Sequence, residues 1–316
     1  MTQIPSIRDR LLLALLRAVP KSIAAHACFL LRSHPTVADK WGYHVRPIHY
    51  YEPLPDFSAI APEATLNRYD RSAICFRVDA QIETLEHFGE RYASELLELQ
   101  TQFDFKNEYF AGLDAAAYYS FIRDRRPRRV VEIGSGFSTR IAAYALKRNS
   151  TLGFPGELVC IEPYPQSRLT QDAPAMRLIQ KPVQDVDLSL FAALEAGDIL
   201  FIDSSHAVKY GSDVCFEFLR ILPCLRPGVL VHVHDIFFPH DYPADWLVNR
   251  RISFAEQYLL EAFLAFNSSY SVELANYWMC LEHASIVSRL CPEQLMPPAP
   301  HGGGSFWMSR NEESDG

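Results

Sequence analysis

Nowhere in this chain is there the run of roughly eighteen apolar residues that a bilayer-spanning helix needs. Stable membrane insertion is therefore not expected. An excess of positive charge is missing as well: 30 Lys and Arg face 38 Asp and Glu, a net charge of −8. Phosphate backbones are bound by clustered cations, so nucleic acid is not an expected partner. One short basic run, RDRRPRR over residues 123–129, precedes an apolar stretch and reads as a solvated helix end. No C-x-x-C pair occurs. The seven cysteines, Cys28, Cys75, Cys160, Cys215, Cys224, Cys280 and Cys291, are scattered and odd in number. That pattern argues against a zinc knuckle or a disulfide framework and fits reduced thiols in the cytoplasm. Internal repeats and low-complexity segments are absent too.

What is present is an ordinary globular composition, 48% hydrophobic and 22% charged, over a length that suits one large α/β domain with an extension. Residues 7–19 (IRDRLLLALLRAV) are basic and apolar, but Arg17 and Pro20 interrupt the run too early for a signal peptide. They predict an amphipathic helix that packs on the protein, with a helix lying on a membrane surface as the lesser alternative. Residues 7–31 read as helical with a break near Pro20, residues 41–57 as an aromatic, proline-rich and partly buried segment, and residues 80–103 as a helix. Residues 1–105 are thus expected to form a helical and irregular extension that covers a larger domain.

From about residue 107 the pattern changes. A helix over 113–123 leads into strands at 129–133, 158–161, 176–179, 198–202 and 229–233. Helices are expected between them at 139–147 and 212–222. Such alternation implies parallel βαβ units, and the nearly continuous apolar runs imply strands covered on both faces. Further helices at 252–266 and 281–290 and strands at 270–274 and 305–309 complete the reading. The expected fold is a doubly wound, mostly parallel seven-stranded α/β sheet with an antiparallel edge strand over 106–310, followed by a polar tail at 311–316.

The most informative stretch is VVEIGSGFST, Val130 to Thr139, in which an apolar strand meets a glycine turn and then a helix. Gly134 and Gly136 permit a tight turn and close approach of backbone to a ligand, and the helix start offers unpaired N–H groups. A dinucleotide fingerprint would carry a third glycine, which is missing. Glu132, two residues before the first glycine, suits a cationic amine better than a phosphate. Glu162, thirty residues on and at the next strand end, suits the two hydroxyls of a ribose.

These features, together with GDILFIDSSH (residues 197–206) and the strand ending in His234-Asp235, resemble the class I S-adenosylmethionine-dependent methyltransferases across residues 107–310. The resemblance implies that Glu132 and Gly134 hold the methionine portion of S-adenosylmethionine, with Ser135, Gly136, Ser138, Thr139 and Asp203 as further cofactor-binding residues. It also implies that Glu162 holds the ribose, and that Gln184 and Asp185 lie beside the adenine. Ser138 stands where many members have a third glycine. Some relatives bind a divalent cation between strand-end aspartates, which would make Asp203 and Asp235 candidate ligands for magnesium.

His206, His234 and Asp235 are the candidate catalytic residues, because imidazole titrates near neutrality and can deprotonate a hydroxyl. His232 reads as a core histidine. The expected reaction is O-methylation of a small molecule or a sugar hydroxyl. The partner would be a small-molecule acceptor, and a homo-oligomer is compatible with the chain. Three alternatives stand beside it: a metal-dependent enzyme of other chemistry, such as an oxygenase, a nicotinamide-dependent oxidoreductase, and a non-catalytic relative that keeps the fold as a binding or assembly module.

Overall fold

The computed structural model describes residues 6–66, 71–166, 173, 175–297 and 303–312. The chain divides into two units, Met1–Ile60 and Ala61–Gly316. In the first, α1 (Ile7–Ala18), α2 (Lys21–Ser33) and the short α3 (Pro35–Asp39) follow one another. Ser6 and Asp9 form a reciprocal cap at the start of α1, with Ser6 Oγ accepting from Asp9 N (3.2 Å) and Asp9 Oδ2 from Ser6 N (2.9 Å). Pro20, which cannot continue a helix, separates α1 from α2. The aromatic segment expected to be partly buried is instead largely open, with Trp41, Tyr43, Tyr50 and Tyr51 all exposed.

The boundary also differs from the expected one near residue 105, because α4 (Val78–Leu99) belongs to the second unit. Leu85, Phe88, Tyr92, Leu96 and Leu99 recur at helical spacing and are buried in the core beside α5 (Gly112–Arg125). Arg123 of α5 clamps Glu95 of α4 with two hydrogen bonds of 2.8 and 3.0 Å, and Tyr119 donates to the same carboxylate at 2.7 Å. The basic run is therefore solvated at Arg125, Arg126 and Arg128 but buried at Arg123. Low sequence amphipathicity in α5 has a physical reason: it is buried from Gly112 to Arg123, so no face of it needs to be polar.

The sheet holds β1 (Arg129–Ile133), β2 (Glu157–Ile161), β3 (Arg177–Ile179), β4 (Ile199–Ile202), β5 (Leu230–Val233), β6 (Tyr270–Ala275) and β7 (Phe306–Arg310). Its order is β3-β2-β1-β4-β5-β7-β6. The first five strands are parallel, and β7 runs antiparallel between β5 and β6. α6 (Phe137–Thr151) connects β1 to β2. The expected helix at 212–222 starts as α7 (Asp213–Phe216), capped by Ser212, and widens into a π turn over Glu217–Ile221. Near the C-terminus α8 (Glu256–Leu264) precedes β6, while α9 (Asn276–Glu282) and α10 (Ala284–Leu290) replace the single expected helix around 281–290. Asp198 does not begin β4 but ties strand starts together, accepting from Arg129 N and Glu195 N at 2.9 and 3.0 Å. Residues 298–302 of the Pro/Gly-rich stretch and 313–316 of the expected tail lie outside the described residues.

Strand alternation splits the core in two. Val130, Leu158, Cys160, Ile199, Phe201, Leu230 and Trp307 face α4, α5 and α6. Val131, Ile133, Val159, Ile161, Leu200, Ile202, Val231 and Val233 face the other layer with Phe191, Val214 and Leu260. Glu132 lies on the first face and is fully buried. Tyr118 of α5 donates to its Oε1 (2.9 Å) and Thr139 of α6 to its Oε2 (2.6 Å), with Cys160 of β2 at 3.5 Å. Burial pushes the Glu132 carboxyl up to about 7, although the hydroxyl donors oppose that shift. A folded-state value above the ordinary 4.5 stabilises the fold fully at low pH, and that contribution is lost as pH rises through about 7. Glu132→Gln should therefore remove a decline in stability of about 3 kcal/mol between pH 4.5 and 7. Urea unfolding of both proteins across this range measures it, and parallel profiles would contradict the assignment.

Candidate functional site

Register aligns the candidate residues at one edge of the sheet. Ile133 pairs with Ile161 on one side and Ile202 on the other, and Ile202 pairs with Val233. The next residue of each strand then falls into a row across β2, β1, β4 and β5: Glu162, Gly134, Asp203 and His234. Backbone bonds carry the row past the strand ends, from Gly134 N to Ile161 O (3.0 Å), Asp203 N to Ile133 O (2.9 Å) and His234 N to Ile202 O (3.0 Å). β1 and β4 are neighbours whose connections leave in opposite directions along the sheet. A crevice at such a switch point is where open α/β sheets bind ligands.

Gly134 has φ +85°, and a Cβ there would meet the Asp203 carbonyl oxygen at 1.9 Å, so no other residue fits without moving the strand end. Ser135, Gly136 and Phe137 are partly open, while Ser138 and Thr139 turn inward and are buried. Thr139 accepts from Gly136 N at 3.1 Å and so fastens the loop to α6. The Ser135 hydroxyl is buried and has no hydrogen-bond partner, an orphan that a polar ligand in the loop would satisfy.

Glu132 does not reach this surface. Both of its oxygens are taken by Tyr118 and Thr139, so an amine would contact it only by displacing one of them. Its role in this arrangement is to hold the loop. Glu162 is partly exposed at the end of β2, where its Oε1 accepts from Tyr164 N at 2.8 Å. Gln184 and Asp185 occupy a single 3-10 turn after β3, and Gln184 Nε2 donates to Gly211 O at 3.0 Å.

Beside the loop lies a dense cluster of charge. His206 Nδ1 faces Glu256 Oε2 of α8 at 2.7 Å, and its Nε2 stands 3.4 Å from Asp203 and 3.3 Å from Asp235. His234 Nδ1 lies 3.6 Å from Asp203 and 3.4 Å from Asp235, and its Nε2 lies 3.5 Å from Asp114 of α5. Burial alone would lower both histidines. The surrounding carboxylates instead hold both well above their ordinary value. In turn, burial would raise Asp203 and Asp114, but the two imidazolium charges on Asp203, and His234 on Asp114, keep those carboxyls low. Burial dominates at Asp235 and Glu256, whose carboxyls are raised.

The histidines therefore differ from the vacant bases that the sequence predicts. Each presents both ring nitrogens to carboxylates and is held as an imidazolium. His232 is the core histidine expected of it. It is fully buried, stacked on Phe201 at 3.8 Å, bonded to Ser305 Oγ at 2.8 Å, and pushed well below its ordinary value by burial.

Asp203 and Asp235 converge on the two imidazoliums rather than on a vacant position. Among the described residues, no group of three or more His, Cys, Asp or Glu is spaced to hold a metal ion. Lys209 is exposed, and Asp241 accepts from Tyr242 N in its own loop and from the Tyr258 hydroxyl of α8. Tyr242, Trp246 and Phe254 pack together, and the Phe254 ring lies 4.8 Å from that of His206.

Three partners of the site went unread in the sequence: Asp114, Tyr118 and Glu256. Asp114 carried a signal, because it is a lone acid in the apolar run LDAAAYY. It accepts from Asn276 Nδ2, Gly304 N and Ser305 N at 2.8–2.9 Å. Glu256 sits in an ordinary amphipathic helix, and nothing local distinguishes it.

Known proteins bear on this geometry. Residues 131–236 match the family model of a methyltransferase domain, a span that contains the glycine loop, Glu162, Asp203, His206, His234 and Asp235. An uncharacterized protein of Archaeoglobus fulgidus is 33% identical over 171 residues, which is 47% of this chain and 73% of the relative. Among solved structures, the O-methyltransferase TomG of Streptomyces achromogenes, in complex with SAM, is 17% identical. The alignment covers 71% of this chain and 99% of that one, with a TM-score of 0.39. An O-methyltransferase of Bacillus cereus, in complex with SAH, is 15% identical over 70% of this chain and 90% of its own, with a TM-score of 0.37. With strand order, glycine loop and family match in agreement, the chain belongs to the class I S-adenosylmethionine-dependent methyltransferases.

Proposed function

We propose that this protein transfers a methyl group from S-adenosylmethionine to a hydroxyl oxygen of a small molecule or sugar. The observation that carries this reading is the row Glu162, Gly134, Asp203 and His234 at the ends of four adjacent parallel strands. It sets a ribose acceptor, a close-approach turn and an ionised acid within one crevice. S-adenosylmethionine, when bound, supplies a methyl carbon on a sulfonium sulfur, which the hydroxyl oxygen displaces as a neutral thioether.

The chain's part is to align and to manage one proton. Glu162 accepts from the ribose hydroxyls. Gly134 and Gly136 let the backbone approach the methionine portion, and Ser135 Oγ and Asp203 offer it a hydroxyl and a carboxylate. Asp235 takes the proton of the acceptor hydroxyl, because burial raises its affinity for one. His206, fixed from behind by Glu256, holds Asp235 in place. His234 balances the charge. No step of this reading is routed through a metal ion.

Calorimetry with S-adenosylhomocysteine, and with NADH as control, tests the cofactor. Binding of the first alone is expected. Glu162→Ala should weaken it tenfold or more, since charge-assisted hydrogen bonds contribute about 1.5–3 kcal/mol; unchanged affinity would remove Glu162 from the ribose site. Asp235→Asn should lower kcat by about 10²–10⁴ while S-adenosylhomocysteine affinity stays within about threefold. Retained turnover would assign the proton to another group.

A further inference from the structure

The first unit carries a feature for which methyl transfer has no use. Every described residue from Arg8 to Leu30 is exposed, and α2 buries no side chain at all. Yet both helices are strongly apolar on one side. In α1, Leu11, Leu12, Leu15 and Leu16 share one face and Arg10 and Arg17 the other, while Arg8 falls on the leucine side one turn before Leu11 and Leu12, and Leu13 on the arginine side. In α2, Ile23, Ala27 and Leu30 form the stripe, and Lys21 and Arg32 stand away from it. Leu11, Leu15, Leu16, Ile23 and Phe29 are each more than 60% exposed, far beyond the scattered apolar residues normal on a protein surface.

Charge decides what this surface fits. Residues 7–33 hold five Arg and Lys against Asp9 alone, a net +4, which leaves −12 on the rest of a chain of net −8. Two such cationic faces repel one another, so a second copy of the chain is a poor occupant. An apolar layer with anionic headgroups satisfies both the stripe and the basic flank. Neither helix is long and apolar enough to cross a membrane, and the pair is bent by 101°, a shape suited to lying along an interface. Trp41, Tyr43, Tyr50 and Tyr51, all exposed, follow in the same unit, and such rings favour the headgroup level.

We propose that residues 8–33 dock this protein on the surface of an anionic lipid bilayer, leucine stripes inward and Arg10, Arg17, Lys21 and Arg32 among the headgroups. The proposal is independent of the cofactor reading. Flotation of the full chain with phosphatidylglycerol–phosphatidylcholine vesicles, and with pure phosphatidylcholine vesicles, tests it. At low salt, recovery with the anionic vesicles should exceed that with the neutral ones by about tenfold, and high salt should erase the difference. Leu11→Glu with Leu15→Glu should abolish flotation, and Arg10→Glu with Arg17→Glu should reduce it to the neutral-vesicle level. Unaltered helical circular dichroism and urea unfolding of both double variants would show that their folds survive. Absent flotation, equal recovery on both vesicles, or flotation that survives the leucine variant would each overturn the proposal. So would light scattering in which the apolar stripe instead drives a dimer.

Discussion

Asp114, Asp203, Asp235 and Glu256 surround two histidines at the ends of β4 and β5, and removing either histidine would leave buried carboxylates without their counter-charge. Buried ion pairs seldom add net stability, since the desolvation of both partners offsets their attraction. The surrounding structure accordingly supplies extra donors. Asp114 is met by Asn276 and by the Gly304 and Ser305 amides, which ties α5 to the approach of β7. A Cβ on Gly303 would lie 2.2 Å from the same carboxylate, so the chain entering β7 is shaped around that acid. The order of the last two strands is thus bound up with the site, because β7 beside β5 brings these amides to Asp114, which faces His234.

Backbone conformation records the same demand. His206 and Asp235 take left-handed φ values of +57° and +59°, which cost non-glycine residues of order 1 kcal/mol or more each. Asp235 lies two residues past the end of β5 and His206 four past the end of β4. Asp235 stands against His206 there, and a Cβ on Gly304 would lie 3.2 Å from the Asp235 Cα, so the glycine leaves room for that turn. Among the described residues Arg77, Arg126, Arg251 and Phe266 also take left-handed φ values, but His206 and Asp235 are the two that meet within the charge cluster.

Much of the sheet was legible in the sequence because strands buried on both faces leave unbroken apolar runs, as in β1, β4 and β5. The glycine loop was legible because its backbone constraint admits one residue type. The helical elements after residue 250 were harder to read. α9 and α10 together read as one helix, since the break at His283 involves no proline or glycine. Residues 78–99 were assigned to the extension because sequence periodicity reports that a helix has a buried face, not which surface buries it. Glu132 was expected at the ligand, and its spacing before Gly134 is right for that. Only the inward reach of Tyr118 and Thr139 shows that its oxygens are already satisfied.

His232 and His234 make the last point clearest. They lie two residues apart and on the same face, and residue type alone does not separate them. Depth does. His232 faces Phe201, Trp307 and Ser305, with no carboxylate close enough to outweigh burial, and it is neutral. His234 sits one strand step nearer the edge, among three carboxylates, and is held charged. Its charge in turn helps to keep His232 neutral, since two adjacent buried cations would repel. The chemistry of this site therefore follows from the level at which β5 ends, which sets the residues beyond Val233 against the acids of α5 and β4.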